Sequence, residues 1–419
     1  MMLFVSLVLC AAASLRCASQ SMAIVLGRLM KGALPIPRWN TGRLWLLRLG
    51  YYKLDRAKQR AEDWVWIVDH SVQIGVEKCL VILGIRLSQL QDAQMGLKHA
   101  DVEPIEILPV KKSNGAIVFE QLERTIKKTG VPREILGDYG TDLKRGIETF
   151  CQQHQETCYV YDVKHKTAVI LKREFEEDET WNEFNRLACQ SRKKVLQTSL
   201  AYLAPLNPRV KSRYMNMEHL VGWGEKICAF LENPLRNRET DTSKLRERFG
   251  WVQGFREAIE EWSEILRVMK ITEEFIRAHG FYRGCSVELA EHLKGSRSKR
   301  TERIRKEVIE FVDKESSKAH LGERLLGSSE VIESVFGKLK RLERNQSTSG
   351  FTALVLSIGA MVSTTTKDVI QKALETVPTK SVITWCKETL GESLQSKRNK
   401  FITGNSNSEQ KWGQLILAA

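Results

Sequence analysis

The sequence has no Cys-x-x-Cys pair. Its nine cysteines, at positions 10, 17, 79, 151, 158, 189, 228, 285 and 386, are odd in number and dispersed. That spacing speaks against structural zinc and against a disulfide framework. Several of these thiols lie in apolar contexts, which reads as reduced core cysteine in a cytosolic protein. Long apolar runs are missing as well. The stretch 350–363, GFTALVLSIGAMVS, is too short to span a bilayer. The N-terminal run MMLFVSLVLCAAASLRCA has no positive charge ahead of it, and the following SLRCASQSMAIVLGRL keeps a helical period with Arg16 and Arg28. It reads as helix rather than as a signal peptide. Nor is there a lysine-rich amphipathic helix of the kind that lies on an anionic membrane, so no membrane partner is expected.

Negative charge is also in short supply. Against 65 Lys and Arg stand 51 Asp and Glu, a net charge of +14. An excess of this size is large for an enzyme of small metabolites and points to a polyanionic partner such as nucleic acid. At 419 residues the chain can bury a sizeable core and form more than one domain.

Residues 1–54 read as helical. A first apolar helix and a second one through Met30 are broken by Gly32 and Pro35-Ile36-Pro37. The segment RWNTGRLWLLRLGYYKL follows, with Thr41 as a cap, Leu44, Leu47 and Leu54 on one side, and Arg38, Arg43, Arg48 and Lys53 on the surface. Short helices ending in a basic one suit a helix-turn-helix-like DNA-binding region, with Arg38 and Arg43 as candidate contacts. An ordinary helical cap on the next domain fits the same pattern. Residues 55–62 form a charged linker. Two strand-like apolar runs then span 64–87 around a turn at Gly75, Val76 and Glu77, and IEILPV (105–110) reads as a third strand.

After Ser113-Asn114-Gly115 comes a helix that ends on Gly130, where a left-handed cap is expected. REILGD (133–138) and TCYVYDV (157–163) are strands, each leading into a helix. This order predicts an α/β fold with a mixed five-stranded sheet, antiparallel at one edge and parallel at the other, with helices on its faces. The core would begin at 55–174. A large all-helical insertion would occupy 175–325, and C-terminal helices with a polar tail near 403–410 would complete the core over 326–419. The basic run KGSRSKRTERIRK (294–306) is either a solvated helix face or a DNA-backbone contact.

Three carboxylates stand out. Asp69 interrupts an apolar strand, where a charge is costly unless paired or liganding a metal. Asp138 ends its strand before Tyr139-Gly140, beyond the carboxyl end where ligand sites collect in open α/β sheets. Asp142 is the better N-cap of the following helix, which leaves Asp138 without a structural duty. If the two strands are neighbours, Asp69 and Asp138 lie side by side. At about 4 Å they would repel by roughly 4 kcal/mol at an effective dielectric near 20, so the pair needs a shared proton or a cation. Mg²⁺ suits an all-oxygen site, and a third carboxylate would allow two ions. Glu333, in SSEVIESVFGKLKRL, precedes Lys340 by two helical turns on one face. An exposed charged face is the plain alternative for that pair. In YVYDVKHKTAVILK, Asp162 reads as a helix cap or supporting residue near His165, and Lys164, Lys166, Lys172 and Arg173 suit phosphate contacts.

The hairpin WVWIVDHSVQIG…KCLVILGI, the segment ILGDYGTDLKRGI and the sequence IESVFGKLK together resemble a DDE-type transposase of bacterial insertion sequences. The last of these is similar to an IE-x-x-F-x-x-x-K signature, although Leu326 and Ser329 stand where that signature has Tyr and Arg. The resemblance implies a ribonuclease H-like catalytic core, with Asp69, Asp138 and Glu333 as first, second and third acids. It also implies Mg²⁺ or Mn²⁺ as two ions and Lys340 as the signature lysine. Double-stranded DNA, both element ends and target, would be the partner, bound by a homo-oligomer in a bacterial, nucleoid-associated setting. Two other functions share these residues: a repurposed transposase that holds DNA without cutting it, and a ribonuclease H-like nuclease or resolvase.

Overall fold

Strand β1, Trp64–Ile74, is the middle of the molecule's sheet, and over Trp64–Val68 it is apolar on both faces. The computed structural model describes residues 1–29, 35–74, 77–90, 95–206, 217–232, 242–295, 298–344, 352–391 and 394–403. Met30, Gly32, the turn residues Gly75 and Val76, residues 296–297 of the basic run, Gly350 and Phe351 of the apolar run, and the tail 404–410 lie outside them.

The chain divides into two compact units, Met1–Val160 with Ser328–Ala419, and Tyr161–Gly327. The first holds helices α1 (Met2–Leu9), α2 (Leu15–Leu29) and α3 (Trp39–Asp55), then β1, β2 (Glu77–Arg86), the short α4 (Leu87–Leu90) and β3 (Glu103–Val110). It continues through α5 (Gly115–Thr129), β4 (Glu134–Gly137), α6 (Thr141–Gln153) and β5 (Cys158–Tyr161). The second unit is built from α7 (Val163–Phe175), α8 (Glu179–Val195), α9 (Met217–Glu232), α10 (Thr242–Phe249), α11 (Arg256–His279), α12 (Cys285–His292) and α13 (Lys299–Ser316). The chain then returns to the first unit with α14 (Glu330–Arg344), α15 (Ser357–Met361), α16 (Lys367–Thr376), α17 (Thr379–Trp385) and α18 (Leu394–Thr403).

The sheet is mixed and five-stranded, in the order β3-β2-β1-β4-β5. β1 pairs antiparallel with β2 and β2 antiparallel with β3, whereas β1 and β4 run parallel. The alternation of side chains along a strand sorts the two faces. Trp64, Trp66 and Val68 of β1 join Leu80, Ile82, Ile105 and Ile135 on one face, against Val118 and Leu122 of α5 and Leu143, Ile147 and Phe150 of α6. Val65 and Ile67 point to the other face and are fully buried there, where α14 packs against β1 and α3 and α15 against β3. Helix α5 starts where Asn114 accepts a hydrogen bond from the Ile117 amide (3.0 Å) and ends at Gly130, whose φ of +92° excludes most other residues but whose ψ of 178° is extended, not the left-handed helical cap expected.

The N-terminal helices belong to the sheet unit. The expected cap at Thr41 is corrected: α3 begins at Trp39 with Arg38 as its N-cap residue and no side-chain capping bond. The chain is extended at Arg38 (φ −65°, ψ 153°), one residue past Pro37, and turns helical directly after it. The expectation that its cations lie on the surface is also corrected. Lys53 is fully buried, and its ammonium donates to the carbonyl oxygens of Val362 (2.7 Å) and Ser363 (2.9 Å) and to Thr365 Oγ1 (2.6 Å). Burial, with Arg56 and Lys58 nearby and Glu103 opposing them, pushes the Lys53 pKa down to about 7. Arg48 donates to the carbonyls of Val377 and Leu374, and Arg43 Nε is buried without a hydrogen-bond partner. Periodicity alone sends such charges to solvent. Here the long stems follow the apolar face and the heads find backbone oxygens at the ends of neighbouring helices. Arg38 remains exposed.

The second unit is helical, apart from an isolated bridge between Phe281 and Leu325. Its core is aromatic, with Trp181 and Trp262 perpendicular at 5.1 Å and Phe184 packed on Trp223, Trp251 and Trp262. No helix among the described residues is long and apolar enough to cross a membrane.

The crossing of α3 and α15 is closer than ordinary side chains allow. A methyl at Gly50 would stand 2.0 Å from the Leu356 carbonyl oxygen, and one at Gly359 would stand 2.5 Å from that of Gly50. Gly50→Ala is therefore expected to lower unfolding stability by at least about 2 kcal/mol in urea titrations. Gly27→Ala, where nothing lies within 4 Å of the added carbon, is expected to leave it unchanged or slightly raised.

Candidate active site

β1 and β4 are hydrogen-bonded neighbours with Val65 opposite Glu134 and Val68 opposite Gly137. One further step of that register sets Asp69 opposite Asp138. Adjacent strands stand about 4.8 Å apart, so the condition set by the sequence, that these two strands be neighbours, is met. By alternation Asp69 follows Val65 and Ile67 toward the face that α14 covers. Both carboxylates are half-buried just beyond the last parallel pair, Val68 and Gly137.

Local bonds orient each of them. The His70 amide donates to Asp69 Oδ1 (2.6 Å), and the Gly140 amide donates to Asp138 Oδ1 (3.0 Å). Tyr159 Oη donates to the Asp138 carbonyl oxygen, and its ring packs on Tyr139 with centroids 5.0 Å apart. Asp138 thus has a structural duty that sequence reasoning denied it, since it tightens the turn into α6. Asp142 is not the N-cap. That position falls to Gly140, and Asp142 sits inside the first turn, where its charge favours the helix start.

Asp142 instead anchors a cluster that sequence reasoning missed. Its Oδ2 lies 2.7 Å from Lys78 Nζ and 3.9 Å from His70 Nε2, and His70 Nε2 is 3.4 Å from Ser113 Oγ. Burial alone would raise the Asp142 pKa. Hydrogen bonds from Lys78 and Ser113, with the charges of His70 and Lys78, outweigh it and bring the carboxyl down to about 2. Burial pulls the His70 imidazole below its usual value, and Lys78 adds to this while Asp142 and Asp138 oppose it. The four side chains come from β1, β2, the loop before α5 and the first turn of α6. No local spacing could have announced them; the only signal was a histidine directly after Asp69.

Glu333 lies half-buried in the first turn of α14, together with Glu330, and Lys340 is exposed near the other end of that helix. Asp69, Asp138 and Glu333 all belong to the same unit. Among the described residues, however, no group of three or more His, Cys, Asp or Glu side chains is gathered closely enough to hold a metal ion. The donor chemistry, carboxylate oxygen only, suits Mg²⁺ or Mn²⁺. The register puts two of the three candidate acids on neighbouring strands, and among the described residues Glu333 is not gathered with them.

The remaining candidates lie in the helical unit. Asp162 is the N-cap of α7, accepting from the His165 amide (2.8 Å), as its place before a helix suggested. Lys164 and Lys166 are half-buried in the first turns of α7, and Lys166 pairs with Glu307 at 3.0 Å. In the basic run, Arg300 is held by Asp178 at 2.8 Å and Arg305 by Glu302 at 2.7 Å, so these two cations have carboxylate partners within the protein.

No protein-family model and no curated protein matches the chain. Among solved structures it is similar to the Drosophila P element transposase strand transfer complex, at 10% identity and a TM-score of 0.27, over 94% of this chain and 86% of that one. A likeness this distant carries no functional argument.

The depressed Asp142 pKa sets a pH dependence. A carboxyl whose folded pKa lies below its unfolded value near 3.8 adds stability above that value and loses it as pH falls toward 2. Wild type is therefore expected to lose more stability between about pH 4 and pH 2 than Asp142→Asn does. Urea midpoints measured across that range check this. Parallel curves would mean that the Lys78–Asp142 pair adds nothing to folding.

Proposed function

We propose that the chain is a DDE-type transposase built on a ribonuclease H-like core, with Asp69, Asp138 and Glu333 as its acids. The observation that carries this reading is the combination of strand order and register: an antiparallel β3-β2-β1 meander, a parallel β4 beside β1, and an aspartate directly after the last paired residue of each, Val68 and Gly137. The helix bearing Glu333 packs against β1, which supports its assignment as the third acid. The net charge of +14 supports a polyanionic substrate, here double-stranded DNA held by two or more copies of the chain.

In this mechanism Asp69 and Asp138 would hold the divalent cation and Glu333 would complete its ligands. When bound, the cation lowers the pKa of an attacking water and stabilises charge on the phosphate oxygens. Asp69, oriented by the His70 amide, and Asp138, oriented by the Gly140 amide, would present their carboxylates to that cation where the β1–β4 pairing ends. Water adds to phosphorus as the P–O3′ bond breaks and a 3′-hydroxyl leaves. That hydroxyl then attacks a target phosphorus in line, forming a new ester as the target strand's own P–O3′ bond breaks.

Asp69→Asn, Asp138→Asn and Glu333→Gln are each expected to reduce Mg²⁺-dependent cleavage of end-containing DNA by at least about 10³-fold, with DNA affinity unchanged within about threefold. Cleavage that survives one of these changes would remove that residue from the site. The separation of Glu333 from a common ligand set favours a second reading, a transposase-derived protein that holds DNA without cutting it. Nicking of supercoiled plasmid in Mg²⁺ or Mn²⁺ separates the two.

A further inference from the structure

Strand β3 ends at Val110, which is paired with Lys78, and Lys78 is paired with Gln73 of β1. The loop that follows, Lys111-Lys112-Ser113-Asn114, therefore leaves the sheet at the C-terminal end of β1, beyond Asp69 and His70. It is fixed at its far side by two bonds. Ser113 Oγ is 3.4 Å from the Nε2 of His70, the residue after Asp69, and Asn114 caps α5 through the Ile117 amide. His70 is itself beside Asp142, whose carboxylate is paired with Lys78. The loop is thus tied to the strand that carries the first acid.

Lys111 and Lys112 are exposed on this loop. Among the described residues neither side chain is engaged in an ion pair or a hydrogen bond. Lys78 provides the contrast, because its charge is neutralised by Asp142 at 2.7 Å. Two cations without a carboxylate partner among the described residues, on a loop pinned to His70, form a charge pattern suited to a polyanion. Duplex DNA carries one charge per about 1.7 Å of axis, so neighbouring lysines can meet successive phosphates without reading sequence.

We propose that Lys111 and Lys112 are phosphate contacts for duplex DNA, guiding its backbone to the end of β1. This rests on the reading of the carboxylates as a DNA-processing site. The test uses the full chain in EDTA, so binding is read without cleavage, with fluorescence anisotropy of a labelled duplex over a range of salt. Lys111→Gln/Lys112→Gln is expected to bind about tenfold more weakly at ~0.1 M salt, and its log–log salt slope is expected to fall by about 2. Lys111→Arg/Lys112→Arg is expected to restore both. The melting temperature should not move, because both side chains are exposed.

Wild-type affinity and slope in the glutamine variant would overturn the proposal. So would a protein that binds RNA or single strands but not duplex. A chain that binds duplex through these lysines yet never cuts it would uphold the contact and sink the transposase reading. Cleavage with no loss of affinity in the variant would do the reverse.

Discussion

Strand β1 has no solvent face, and the rest of the sheet unit is arranged around that fact. Val65, Trp66, Ile67 and Val68 are all fully buried, with α5 and α6 over the tryptophans and α14 over the alternate residues. Burial on both sides is the expected condition of a strand with a parallel neighbour. Polar chemistry begins where that cover stops, midway along the strand. There the first two polar residues, Asp69 and His70, necessarily point to opposite faces. Asp69 faces the α14 side, and His70 faces the α5–α6 side, where Ser113 and Asp142 receive it. The carboxylate pair and the His70 cluster are therefore two consequences of one buried strand running out of hydrophobic cover.

The order of strands and helices was legible because apolar runs and their breakers are local signals. Val65–Val68 and Leu80–Leu83 could hardly be anything but sheet, and Asn114 and Gly130 bracket α5 as their chemistry requires. The adjacency of Asp69 and Asp138 was legible only as a condition. Register between strands so far apart in sequence depends on the crossover through β2, β3 and α5, which no local pattern states. Lys53 was misread for a physical reason. An isolated ammonium is costly to bury, so a period-based reading sends it to water. The three oxygens that receive it lie beyond α15, at Val362, Ser363 and Thr365, more than 300 positions away. Asp142 was misread because first-turn acids and N-cap acids look alike in sequence, and only Lys78 across the sheet distinguishes them.

Net charge is a weaker guide to a binding surface than the location of unpaired charge. Many of this chain's cations are occupied internally. Arg300 is shared by Asp178, Glu261 and Glu174, Arg173 by Glu174 and Glu307, and Arg56 by Glu103. Each of these pairs removes a cation from the pool able to meet a phosphate. The basic run that looks strongest in sequence, 294–306, loses Arg300 and Arg305 in this way. Lys111 and Lys112 attract no notice in the sequence, yet among the described residues no carboxylate occupies them.

Aspartates that cap helices provide the internal standard for judging Asp138. Asp162 is 1% exposed and caps α7 through the His165 amide. Asp178 caps α8 through the Trp181 amide, and its second oxygen takes Arg300. In Asp178 the cap oxygen and the remaining oxygen are both engaged, so the carboxylate has a complete set of protein partners. Asp138 departs from that pattern. One oxygen tightens the turn through Gly140, Tyr159 holds the backbone carbonyl rather than the side chain, and Oδ2 has no hydrogen bond among the described residues. A carboxylate with one oxygen anchored and one open is oriented without being satisfied. On the proposed reading, that open oxygen is the one a bound cation would take, and a cap such as Asp178 has none to offer.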